Sequence, residues 1–287
     1  MRRDHHIARD ISYAHSAQTR GGRAMIRTME TLSGRIRLIK RAHGYEQEVA
    51  SGQDFWQVIA TRYGLSLDVV CGALDHIPRE GPLVLVANHP YGILDGLMMG
   101  NMLSQTRGDF RILASSVFRK APDLERTVLP VSFDDTREAL ALNLETRRRS
   151  LDFLSQGGAI GIFPGGAVST AARPFSRPMD PDWRLFTARM IAKSRATVVP
   201  VFFEGHTSRL FQVATHLHYT LRMGLLLKEF GKRLDTPVRV AIGEPLGRDV
   251  LDPMAGDAKS LMAFLRRKTY ELSPGPIDPT GIGFEWN

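Results

Sequence analysis

The run Leu83-Val84-Leu85-Val86-Ala87 constrains this chain more than any other segment. It follows the turn-rich Pro78-Arg79-Glu80-Gly81-Pro82 and contains no polar residue, so it reads as a strand covered on both faces. Comparable short runs recur at 69–74, 110–114, 159–163, 197–203 and 238–242. Between and after them lie helical patterns at 93–104, 136–156, 183–194, 210–230 and 258–272. Strands separated by helices predict an α/β fold, with a mixed, largely parallel sheet covered by helices. In such sheets function collects where strands end and loops begin.

The N-terminal part differs. Residues 1–22 mix Arg, His, Ser and Gly without periodicity and are expected to be a disordered basic tail. From Arg23, Met25, Met29, Leu32, Ile36 and Ile39 recur at helical steps, with Arg27, Arg35, Arg37, Lys40 and Arg41 mostly off that stripe. A second helix is expected over 54–63, so 23–64 reads as an amphipathic helical segment before a main domain at 65–273. A Pro/Gly-rich tail, 274–287, follows. Of the net charge of +8, residues 1–50 supply most, with ten Lys and Arg against five Asp and Glu. That excess points to an anionic membrane surface, since no nucleic-acid recognition motif accompanies it.

The most apolar stretch, 82–103, is interrupted by Asn88, His89 and Asp95 and is too polar for a lipid-facing span. Met1-Arg2-Arg3 is followed by His5, His6, Arg9 and Asp10, where a signal peptide needs an apolar run. The chain is therefore expected in the cytoplasm, peripheral to the inner face of the cell membrane. Its one cysteine, Cys71, excludes an intrachain disulfide and is expected to be a buried structural residue. No His/Cys/Asp/Glu spacing suggests a metal site.

The chemistry-bearing residues sit where the first buried run ends. Asn88 and His89 fall at its carboxyl end, Pro90-Tyr91-Gly92 turns the chain, and Asp95 lies in the first turn of the next helix. The turn allows the two side chains to fold back on each other. A neutral imidazole can take a proton from an attacking hydroxyl or amine, and a carboxylate on its other nitrogen fixes the tautomer. Taken alone, the pair is also compatible with a capping histidine and an ordinary first-turn acid. No Gly-x-Ser-x-Gly elbow offers a serine nucleophile.

Asn88-His89-Pro90 followed by Asp95-Gly96 resembles the signature of the glycerolipid (lysophospholipid) acyltransferase superfamily. The usual pattern has four residues between His and Asp. The five found here resemble a bacterial branch that includes hemolysin-like and ornithine-lipid-type enzymes. Three further blocks agree in order: Phe163-Pro164-Gly165-Gly166, Val198-Val199-Pro200-Val201, and Gly205-His206-Thr207-Ser208-Arg209-Leu210-Phe211. Val238 to Leu246 is similar to the closing strand and turn. The resemblance covers about residues 65–250. It implies a glycerol-3-phosphate acyltransferase-like fold and a peripheral enzyme that moves a fatty acyl chain from acyl-carrier protein or acyl-CoA to a lysolipid. His89 would be the base and Asp95 its orienting partner, with no bound cofactor beyond the thioester donor.

The chain also departs from the family. Gly165 stands where the family has Glu, and Ala167-Val168-Ser169 replaces its Thr-Arg continuation, so charged acceptor contacts do not carry over. Asn88, Phe163, Pro164, Gly165, Gly166 and Ser169 are expected near substrate, with backbone N–H groups of the glycine turn available to an oxyanion. Arg173 and Arg177, in the proline-rich stretch 173–181, are candidates for an anionic headgroup or donor phosphate. Arg137, His206 and Ser208 are further candidates. Two readings stay open beside acyl transfer: a thioesterase using the same pair on water, and an inactive lipid-binding module.

Overall fold

The computed structural model describes residues 12–17, 19–115, 124–132 and 136–285. The N-terminal region folds as α1 (Arg20–Glu30), α2 (Ile36–Ala42), α3 (Tyr45–Ala50) and α4 (Phe55–Arg62). The sheet elements are β1 (Ser66–Cys71), β2 (Leu83–Ala87), β3 (Phe110–Ser115), β4 (Val128–Val131), β5 (Ala159–Ile162), β8 (Thr197–Phe203) and β9 (Pro237–Ile242). A small hairpin, β6 (Thr170–Ala171) with β7 (Pro178–Met179), lies between. The remaining helices are α5 (Ile93–Thr106), α6 (Arg137–Ser155), α7 (Leu185–Ser194), α8 (Arg209–Leu217), α9 (Tyr219–Gly231), α10 (Arg248–Leu251) and α11 (Ala258–Tyr270).

Among the described residues the main sheet has seven strands in the order β1-β9-β8-β2-β5-β3-β4. The block from β8 to β4 is parallel; β9 runs antiparallel to β8, and β1 pairs parallel with β9. This is the mixed, largely parallel sheet the sequence predicts. β2 is central, and its alternating side chains feed two cores. Leu83, Leu85 and Ala87 join Met98, Met99 and Met102 of α5, whereas Val84 and Val86 join Ile191 of α7 and Leu265 of α11. The uninterrupted apolar run follows from this, since a strand covered on both faces has no solvent side. Because β2, β5 and β8 are parallel, their carboxyl ends bring residues 88, 163 and 204 to one edge.

Several expectations change. Of the disordered tail expected over 1–22, residues 1–11 and 18 lie outside the described residues, whereas 12–17 and 19–22 are described and partly helical. Residues 13–16 form a 3-10 turn held by Glu30, whose buried carboxylate accepts from Ser12 Oγ and Tyr13 N, each at 2.8 Å. The single helix expected from Arg23 begins at Arg20 and is interrupted by a wider turn at Thr31–Arg35, where Gly34 has φ 114°. The break shifts the phase of the apolar stripe. Ile26 and Leu38 are buried, while Met25, Leu32 and Ile36 are 51%, 84% and 52% exposed.

The helix expected over 210–230 is two helices, split at His218, whose extended backbone ends α8 and whose ring caps Thr220 N. Cys71 is exposed, not buried. The strand starts three residues earlier than the sequence suggests and forms the sheet edge, with a register shift just before Cys71. β4 escaped detection because its four residues are too few to show a period. No helix among the described residues is long and apolar enough to cross a membrane.

Candidate active site

Asn88 closes β2 onto β8. Its Nδ2 donates to Phe203 O at 2.9 Å and its Oδ1 accepts from Phe203 N at 2.7 Å. Both ends of the amide are thus spent on backbone, and Asn88 positions the chain rather than facing a ligand. The next residue, His89, is clamped through its backbone. Its N–H donates to Asp180 Oδ1 at 3.1 Å, and its carbonyl accepts from Ser169 N at 2.8 Å.

The imidazole is held on two further sides. Its Nδ1 lies 3.0 Å from Asp95 Oδ2. The approach is off the hydrogen-bond axis, so Nδ1 is close to the carboxylate without an aligned bond. Such contacts tighten when substrate fills the site. The ring face stacks on Phe163, with centroids 4.1 Å apart and planes at 26°. With Nδ1 turned to the carboxylate, Nε2 is the nitrogen presented to the cavity that His89 lines.

Asp95 has a second task. Its Oδ2 also accepts from Tyr91 N at 2.8 Å and Gly92 N at 3.0 Å, capping the start of α5. The turn depends on Gly92, at φ 80°, where a side chain would be strained and would press on Val168. Burial pushes the fully buried Asp95 carboxyl above the ordinary carboxylate range, against the opposing pull of His89 and the two backbone N–H groups. The helix-capping acid and the neighbour of His89, alternatives in the sequence, are thus one side chain.

The cavity holds about 580 Å³ and is mainly apolar, within the range of ligand pockets. His89, Phe163, Pro164 and Gly166 line it, together with Trp56, Leu97, Met223 and Leu226. Gly165 and Ser169 do not; both face Asp180, which receives the Ser169 hydroxyl. The Gly166 N–H is turned back to Phe163 O at 3.0 Å, so that donor is not available to an oxyanion as the sequence suggested.

The remaining candidates lie elsewhere. Arg173 and Arg177 are exposed in the loop joining β6 to β7, where Arg177 donates to Pro276 O. Arg177 and His206 line a separate, smaller pocket, and Arg137 is exposed at the start of α6. Ser208 is the N-cap of α8 and bonds Glu229 through both its N–H, at 2.7 Å, and its hydroxyl, at 2.6 Å. None of these lines the cavity that His89 lines. Among the described residues there is also no group of three or more His, Cys, Asp and Glu placed to hold a metal.

Two residues next to the site were missed. Asp180, fully buried, accepts from His89 N, Ser169 Oγ and Trp183 Nε1. Its only sequence signal was its place in the proline-rich stretch. Arg222, in α9, lines the cavity, and a lone arginine in an apolar helix pattern was the available clue.

A family model described as "Acyltransferase" matches residues 49–276. A lyso-glycine lipid O-acyltransferase of Phocaeicola vulgatus is 24% identical over 222 residues, covering 72% of this chain and 74% of the relative. The lyso-glycine lipid O-acyltransferase of Bacteroides thetaiotaomicron is 22% identical over 202 residues, covering 66% and 69%. The crystal structure of the 1-acyl-sn-glycerophosphate (LPA) acyltransferase PlsC from Thermotoga maritima aligns with TM-score 0.47 and 17% identity, over 78% of this chain and 83% of that one. With the family model spanning most of its length, the chain belongs to the acyltransferase family.

Proposed function

We propose that this acyltransferase moves a fatty acyl group from a thioester, of acyl-carrier protein or coenzyme A, to the hydroxyl of a lysolipid at a membrane surface. The observation that carries this reading is His89, backed by Asp95 and Phe163, on the wall of an apolar cavity. Nε2 of His89 takes the proton of the acceptor hydroxyl as its oxygen attacks the thioester carbonyl. The C–S bond then breaks and the proton passes from His89 to the departing thiolate, leaving an ester and a thiol. Asp95, 3.0 Å from Nδ1, stabilises the imidazolium between the two proton transfers. The names of the two bacterial relatives support a lysolipid acceptor and oxygen as the acylated atom.

Membrane access has its own support. Met25, Leu32 and Ile36 present apolar side chains outward, beside exposed Arg20, Arg23, Arg27 and Lys40. That combination suits an interfacial helix: apolar groups insert and cations meet anionic headgroups, at about 1 kcal/mol per basic residue. The rest of the stripe packs inward, so the segment is both a structural element and a membrane contact.

The test is incubation with labelled acyl thioesters of both carriers and a panel of lysolipids, beside His89→Ala. Acylated lipid that depends on His89 is expected. Free fatty acid formed at the same rate with or without acceptor would assign the pair to hydrolysis instead, and full transfer by His89→Ala would overturn the mechanism.

A further inference from the structure

Arg222 is 6% exposed, in the first turn of a helix that packs on the N-terminal segment. Among the described residues its guanidinium reaches only neutral oxygens. Nη1 donates to Thr170 Oγ1 at 2.7 Å and, more weakly, to Thr215 Oγ1 at 3.5 Å, and Nη2 donates to Val168 O at 2.9 Å. The group lies over the Phe211 ring, 5.3 Å from its centroid. No Asp or Glu pairs with it among the described residues, and burial pulls its pKa down to about 10, the phenols of Tyr219 and Tyr13 being the groups that oppose the shift.

Burying a cation without a counter-charge costs several kcal/mol in general, and an anionic ligand in the cavity would supply the charge that the described residues do not. Arginine has five N–H donors. Three are engaged by the contacts above, which leaves Nε–H and one N–H of Nη2 for another acceptor. The side chain lines the same cavity as His89.

Arg222 is also tied to the catalytic turn. The carbonyl it holds belongs to Val168, and the next residue, Ser169, donates its N–H to His89 O at 2.8 Å. Leu226, one turn further along α9, and Val168 are the side chains nearest to Gly92. Of the other arginines on the cavity wall, Arg184 already pairs with Glu285. The arginines that the sequence offered for an anion, Arg173 and Arg177, stand outside the cavity.

We propose that Arg222 receives the anionic headgroup of the acceptor lipid, a carboxylate or a phosphate, and thereby sets the acceptor hydroxyl beside His89. This rests on the acyl-transfer reading above. It assigns the headgroup contact to a helix outside the motif blocks, in a chain whose glycine turn lacks the family's charged residues. The carboxylate or phosphate takes the two remaining N–H donors side by side, the fork geometry to which arginine is suited.

The test uses the full chain, one fixed thioester donor, and three acceptors that share an acyl chain and hydroxyl but carry a carboxylate, a phosphate or no charge. Wild-type protein is expected to prefer one of the charged acceptors, and which one identifies the anion. Arg222→Met should reduce that preference about tenfold or more, chiefly through the acceptor KM, and Arg222→Lys should recover part of it. Equal losses on charged and uncharged acceptors would make Arg222 a strut for residues 168–170. A raised KM for the donor alone would move the anion to the donor. Both results overturn the proposal. Should Arg222→Met fail to fold, as judged by its thermal transition, the Arg222→Lys preference ratio decides, an unchanged ratio counting against the proposal. Should wild-type protein cleave thioester but acylate no lysolipid, the acyl-transfer reading fails. Arg222 is then judged by binding of the charged against the uncharged lysolipid to wild type and Arg222→Lys, equal affinities overturning it.

Discussion

Asp180 packs closely on Gly165: a Cβ built on Gly165 would meet Asp180 Cβ at 3.3 Å and Cγ at 3.5 Å. The acid that the resembling family carries directly after Phe-Pro is absent here, and the buried carboxylate beside Gly165 comes instead from the β7 end. That carboxylate accepts from three donors at once, among them the backbone N–H of His89. Asp180→Ala would leave all three buried donors without an acceptor, at about 1–3 kcal/mol each. The melting temperature is expected to fall by more than about 5 °C, and Asp180→Asn by less. An unchanged transition for the alanine variant would mean the network adds no stability.

Asp95 offers a test with opposite signs in stability and activity. Burial raises its folded-state pKa above that of the unfolded chain, so the folded protein binds this proton more tightly. The cost of the buried charge is therefore absent at low pH. It appears as pH climbs from the ordinary carboxylate range through the raised value. Asp95→Asn removes that cost, and its stability relative to wild type should rise across this window and level off above it. Transfer should nonetheless fall about 10²–10⁴-fold, because an amide cannot stabilise the imidazolium. Urea unfolding at a series of pH values, beside kcat, checks both; a pH-independent stability difference would show that burial does not perturb Asp95.

The stacking of Phe163 on His89 is an aromatic contact worth about 0.5–1.5 kcal/mol beyond its buried area. Phe163→Leu keeps an apolar wall but loses the ring face. Expressed in the barrier, the change predicts a kcat about 2- to 12-fold lower with little change in stability. A kcat equal to wild type would show that Asp95 and the backbone clamp orient the imidazole without it.

The exposed residues of the N-terminal segment predict a membrane phenotype. Burying one Leu or Ile is worth about 1.5–3 kcal/mol, so Leu32→Ser with Ile36→Ser should weaken liposome partitioning by at least about tenfold. Binding of wild type to anionic liposomes should also weaken as salt rises, through Arg27 and Lys40. Flotation with anionic and neutral vesicles reads both effects. Equal flotation of the double variant would assign another surface to the membrane.

Sequence alone determined the class of fold, most of its strands and helices, and the His89–Asp95 pair. These are local facts: five apolar residues in a row report a strand covered on both faces, and a Pro-Tyr-Gly turn brings residue 89 back to residue 95 in the first turn of the next helix. Tertiary structure decided what lies around the pair. That Asn88 is spent on Phe203, that Asp180 packs beside Gly165, and that Arg222 shares a cavity with His89 all depend on contacts between residues about 15 to more than 100 apart in the chain. Strand and helix periodicity carries no information at that range. The same holds for the exposure of Cys71 and Leu32, which follows from a sheet edge and from the glycine that breaks a helix, not from the hydrophobicity of their neighbours.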